Sequence, residues 1–122
     1  MGKKIGIITI GQSPRMDVVP EMTPFFGGHV EVLEVGAMDG LTLAQARAYR
    51  PEAGMTHLAS RMRDGTEILI AKEKILTRIE RAVNDLNQQN VSLILLFCVG
   101  VFPKFPSRCL IVEPQRIVDH CV

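Results

Sequence analysis

The chain of 122 residues carries 47% hydrophobic and 22% charged residues with a formal net charge of +1, the composition of one folded domain with a real core. So even a charge gives no electrostatic footing for nucleic acid or an acidic membrane surface, and no apolar run approaches the roughly 20 residues that cross a bilayer. Cys98, Cys109 and Cys121 are odd in number and too widely spaced for a zinc knuckle, so neither a disulfide scaffold nor a structural metal is expected. Lys3-Lys4 precede an apolar stretch that is short and lacks a small-residue cleavage site, which points to a cytoplasmic protein.

In chain order, residues 4–10 read as a first strand, rich in isoleucine, and 15–26 as a helix whose regularity Pro20 and Pro24 limit. Gly27-Gly28 ends that helix, 29–35 is a second strand, and 36–40 a loop. Thr42 caps a short helix that runs to about Tyr49. After the break at 50–54, residues 55–63 and 66–71 flank Asp64-Gly65, a dipeptide favoured in two-residue hairpin turns. A β-hairpin is expected there, with one or two helical turns over 55–63 as the alternative.

Residues 72–90 form the clearest helix, because Ile75, Ile79, Ala82, Val83 and Leu86 fall on one face. The mixed charges from Lys72 to Arg81 read as the solvated face of that helix. Residues 92–97 are apolar on both faces, hence a central parallel strand. A loop over 102–108, a short strand over 109–112 and a helix opened by Pro114 complete the chain. That last helix has barely begun at Val122, which gives the sequence the look of one cut from a larger architecture, with a short terminal helix docked on the sheet as the alternative. The alternation predicts a single α/β domain over 1–122, a three-layer α/β/α arrangement with a mainly parallel sheet. The ends of the first strand and of 92–97 should lie at the same sheet edge.

The break of the first strand at Gly11 is the most suggestive local feature. Thr9, Gln12, Ser13 and Arg15 crowd the turn that opens the next helix. Ser13 suits a cap and Pro14 the first helical position, where no backbone N–H is required. Backbone N–H groups of Gly11, Gln12 and Ser13 at such a helix start attract an anion, and the guanidinium of Arg15 adds a fork for carboxylate or phosphate. The plain alternative is a strand-to-helix turn whose polar residues only cap.

Cys98 stands where the buried strand meets Val99 and Gly100, so a cleft at a strand end would receive its thiol. Free cysteine is also among the residue types most often buried for packing alone. Cys109 and Cys121 read as packing residues. His29 and His57 read as structural or exposed, and His120 lies in the terminal stretch.

In three blocks the chain resembles the AroM family: Thr9-Ile10-Gly11-Gln12-Ser13-Pro14-Arg15-x-Asp17; Tyr49-Arg50-Pro51-Glu52-Ala53-Gly54 with Leu58, Arg63-Asp64-Gly65 and the long helix after Lys72; and Leu95-Leu96-Phe97-Cys98-Val99-Gly100-Val101-Phe102-Pro103 followed by Glu113-Pro114-Gln115-Arg116-Ile117. The resemblance spans nearly the whole chain. It implies an organisation similar to the aspartate/glutamate racemase group, in which two related α/β halves each bring a cysteine to a shared cleft. On that pattern the chain matches the first half, and Cys98 stands at the place of the first-half cysteine. The 9–15 loop lies where such enzymes hold substrate, although Gln12 and Ser13 do not reproduce the usual racemase opening.

Two functions follow as expectations. One is a binding domain that takes a small carboxylate or phosphate through Thr9, Gly11, Gln12, Ser13 and Arg15, with Val99 and Gly100 alongside. The other is a cofactor-independent racemase- or isomerase-like enzyme with Cys98 as acid/base or nucleophile, which requires a second thiol on the opposite face of the substrate carbon. Neither needs a cofactor or a metal. The expected partners are a small anionic molecule and a second copy of the chain in a homodimer or higher homo-oligomer, with no nucleic acid and no membrane.

Overall fold

The computed structural model of the chain describes residues 3–13, 30–97, 105 and 107–112. Along it run β1 (Lys3–Thr9), β2 (Val30–Gly36), α1 (Leu43–Arg47), β3 (His57–Arg61), β4 (Glu67–Ala71), α2 (Lys72–Gln88), β5 (Leu93–Phe97) and β6 (Leu110–Val112). The expected helices over 15–26 and from Pro114 lie outside the described residues, as does most of the 102–108 loop.

The fold is α/β, in keeping with the three-layer arrangement expected. Four strands form a sheet in the order β2-β1-β5-β6, every neighbouring pair parallel. Ile5 lies opposite Val32 on one side and Leu93 on the other, and Thr9 lies opposite Gly36 and Phe97. Three strands therefore end level. The chain leaves β1 for a neighbour on one side and later returns, as β5, on the other. That reversal makes the carboxyl ends of β1 and β5 a topological switch point, where open α/β sheets leave a crevice.

One face of the sheet is covered by α2. Its buried residues Ile75, Ile79, Ala82, Val83 and Leu86 are those the helical spacing selects. They share a core with Ile8, Ile10, Ile94 and Leu96. Gly6 lets the helix approach: a Cβ there would stand 2.6 Å from Leu86 Cδ1. The helix gives way to the connection into β5 at Asn90, whose positive φ of 60° asparagine tolerates better than most residues.

Thr42 caps α1 in a reciprocal box: its hydroxyl accepts from the Gln45 N–H while the Gln45 side chain accepts from the Thr42 N–H. The strands β3 and β4 pair antiparallel, Leu58 opposite Ile70 and Arg61 opposite Glu67, which is the hairpin expected. Its connection differs from the two-residue turn expected. The Met62 N–H donates to the Thr66 carbonyl at 2.8 Å and the Gly65 N–H to the Met62 carbonyl at 3.0 Å, leaving a three-residue loop. Gly65 takes the positive φ (95°) that such a loop needs at its last position, and the Asp64 carboxylate accepts from the Thr66 N–H at 2.9 Å. Among the described residues no helix is long and apolar enough to cross a membrane.

Candidate functional site

The connection after β1 lies directly against the hairpin. A Cβ on Gly11 would stand 2.0 Å from the Arg61 carbonyl oxygen and 2.8 Å from Ser60 Oγ, so only glycine lets the two backbones meet. The Gln12 N–H donates to that same carbonyl at 3.0 Å. The Gln12 side-chain amide then joins three segments. Its Nε2 donates to the carbonyls of Met38 (3.1 Å) and Leu41 (2.9 Å), and its Oε1 accepts from the Arg63 N–H at 2.8 Å.

Asp39, just past β2, organises the other side of the loop. Its Oδ1 accepts from the Ser13 N–H at 2.8 Å, and its Oδ2 accepts from the Ser13 hydroxyl at 2.7 Å and the Gly36 N–H at 2.8 Å. Gly36 cannot carry a side chain here, since a Cβ would meet Asp39 Oδ1, the Gly11 carbonyl oxygen and Ser13 N at 2.6 Å. The 37–39 turn is held from below by Arg78 of α2, whose Nε donates to the Ala37 carbonyl and whose Nη2 donates to the Asp39 carbonyl at 2.9 Å. From the hairpin, Arg63 Nε donates to the Ser13 carbonyl at 2.8 Å, and its Nη2 lies 4.0 Å from Asp39 Oδ1.

Two of the backbone donors expected to meet an anion are thus engaged within the fold. The Gln12 N–H serves the Arg61 carbonyl, and the Ser13 N–H serves a carboxylate that the chain itself provides. The Ser13 hydroxyl, expected to cap a helix, also donates to Asp39. Thr9 is fully buried at the end of β1, and its Oγ1 has no hydrogen-bond partner among the described residues; the same holds for Ser60 Oγ beside Gly11. Such orphaned buried hydroxyls are uncommon, and a bound water or ligand atom would satisfy them.

Arg15, Cys98, Val99 and Gly100 lie outside the described residues, as do His29, His120 and Cys121. The strand that leads to Cys98 ends at Phe97, opposite Thr9, so it reaches the same sheet edge as the 11–13 loop. His57 is exposed. Cys109 is half-buried with its Sγ 3.6 Å from Ser107 Oγ, a packing position near the amino end of β6. No group of three or more His, Cys, Asp or Glu residues suited to a metal occurs among the described residues.

Away from the site, Thr56 N–H bonds hold the Glu73 carboxyl below its ordinary pKa, and the Thr66 N–H does the same for Asp64. Sequence reasoning missed Asp39, Arg63 and Arg78. Asp39-Gly40 and Asp64-Gly65 advertise turns, but nothing local announces what Asp39 or the arginines touch.

Comparison with protein-family models matches residues 5–122 to the family described as AroM protein. No curated protein and no solved structure matches the chain.

Proposed function

The chain belongs to the AroM family, and from that premise we propose that it binds a small anionic molecule, a carboxylate or a phosphate, at the 11–15 loop. The observation that carries this reading is the switch point. The strands β1 and β5 end level there, and the buried Thr9 hydroxyl at that edge lacks a partner among the described residues. Thr9, Gly11, Gln12 and Ser13 build the wall, and Arg15, Val99 and Gly100 adjoin it in sequence. Because Asp39 already occupies the Ser13 donors, the positive charge for the ligand comes from arginine rather than from those N–H groups.

The test is titration calorimetry with inorganic phosphate and with acetate. Saturable, salt-sensitive binding is expected. Arg15→Ala should weaken it by about 1.5–3 kcal/mol, the scale of a charge-assisted hydrogen bond. Cys98→Ser should leave it nearly intact. Binding by neither anion overturns the reading.

A second reading rests on a separate observation: Cys98 directly follows a strand that ends at this same edge. In it the protein is a cofactor-independent isomerase of the racemase type, with Cys98 moving a proton at a substrate carbon and a second thiol supplied from another half or another copy. A homodimer or higher homo-oligomer would serve either reading. A cytoplasmic location suits the free thiol of Cys109.

A further inference from the structure

We propose that Arg63, at the tip of the hairpin, is the specificity-determining cation of this site and selects a carboxylate over a phosphate dianion; the inference rests on the anion-binding reading above. Arg63 is fixed at two points. Its backbone N–H donates to Gln12 Oε1 at 2.8 Å and its Nε to the Ser13 carbonyl at 2.8 Å. Those bonds hold the guanidinium at the loop, and among the described residues its Nη groups make no hydrogen bond and meet only Asp39, as an ion pair. The contact of Nη2 with Asp39 Oδ1, at 4.0 Å, is too long for a hydrogen bond, and the side chain is 64% exposed.

Arg78, the other arginine at this turn, differs: it donates to two backbone carbonyls and acts as a structural tie. The Nη edge of Arg63 is a planar pair of donors that matches a carboxylate or one edge of a phosphate. Asp39 then sets the charge that the site tolerates. Its carboxylate beside Arg63 offsets part of the attraction, which grows in proportion to the ligand's charge, and leaves untouched the cost of desolvating the anion, which grows as the square of that charge. A phosphate dianion therefore loses more on desolvation than the weakened fork returns, whereas a monocarboxylate loses less.

The test follows backbone amide NMR shifts in the whole chain during titration with acetate and with inorganic phosphate at one ionic strength. Acetate should bind more tightly than phosphate and move the signals of Thr9, Gly11 and Ser13. Arg63→Gln should weaken acetate binding about tenfold or more. Arg63→Lys, which keeps the charge without the fork, should fall between that variant and the parent and serves as the second probe if Arg63→Gln fails to fold. Arg108→Gln, at the opposite sheet edge, should change nothing. Parent-like acetate binding in Arg63→Gln, or in a folded Arg63→Lys should that second probe be needed, overturns the inference, as does a preference for phosphate. Binding by neither anion in the parent overturns the underlying reading. Binding lost in Arg15→Ala but kept in Arg63→Gln removes only the role of Arg63.

Discussion

Ser13 and Asp39, 26 positions apart, are joined twice, by the Ser13 N–H to Oδ1 at 2.8 Å and by the Ser13 hydroxyl to Oδ2 at 2.7 Å. With the Gly36 N–H on the same carboxylate, Asp39 ties the end of β2 to the loop after β1. The loop is therefore shaped before any ligand arrives, and preorganisation of this kind lowers the ordering cost of binding.

Asp39→Ala should destabilise the fold by about 2–3 kcal/mol, because it removes three charge-assisted bonds and strands two backbone donors. Asp39→Asn, which keeps one acceptor oxygen, should lose less. Urea unfolding of both variants measures the difference; parent-like stability in Asp39→Ala would remove the tie from the account.

Gly11→Ala and Gly6→Ala should differ in cost although both crowd a neighbour. At Gly11 the new methyl meets the backbone oxygen of Arg61, which cannot retreat without moving β3, and a loss of about 3 kcal/mol or more is expected. At Gly6 it meets the end of the Leu86 side chain, which can change rotamer, and about 1–2 kcal/mol is expected. Thermal unfolding of the pair tests the order.

Glu73 accepts from the Thr56 N–H through both carboxylate oxygens, at 3.0 and 3.1 Å, which lowers its pKa in the folded state. The folded value lies below the unfolded one. Its contribution to stability is therefore complete above the ordinary glutamate range and is lost as pH falls through the depressed folded pKa. A carboxyl NMR titration should place the Glu73 midpoint below that range, and Glu73→Gln should remove this part of the acid dependence. An unshifted midpoint would show that the bonds do not persist in solution.

Cys98 tests the isomerase reading. A catalytic thiolate requires alkylation whose pH dependence falls well below the free-thiol reference of about 8.5. A midpoint at or above that reference would leave Cys98 a wall residue and leave the binding reading standing.

Assembly is expected to show in light scattering as twice the 13.5 kDa chain mass or more. Leu110, 68% exposed on β6, is the residue to change: Leu110→Glu should shift the mass toward the monomer if this sheet edge lies in the interface. A concentration-independent monomer in the parent chain would rule the assembly out.

Among the described residues, the sequence by itself determined the elements and their type. Isoleucine-rich runs made β1 legible, the 3.6-residue stripe of Ile75, Ile79, Ala82, Val83 and Leu86 made α2 legible, and Thr42 with Asp64-Gly65 marked a cap and a hairpin. These signals are local, carried by residues within a turn or two of one another. The family blocks also marked the 9–15 loop and Arg63-Asp64-Gly65 as separate segments.

Only the tertiary structure decided that those two blocks touch, that Gln12 joins three segments, and that an internal carboxylate fills the donors of Ser13. A polar side chain in a turn can satisfy many partners equally well on local grounds. Which one it takes depends on sheet order and strand register, and these bring Ser13 beside Asp39 across 26 positions and Arg63 beside Gln12 across 51. Long-range packing sets those distances, and no local pattern encodes them.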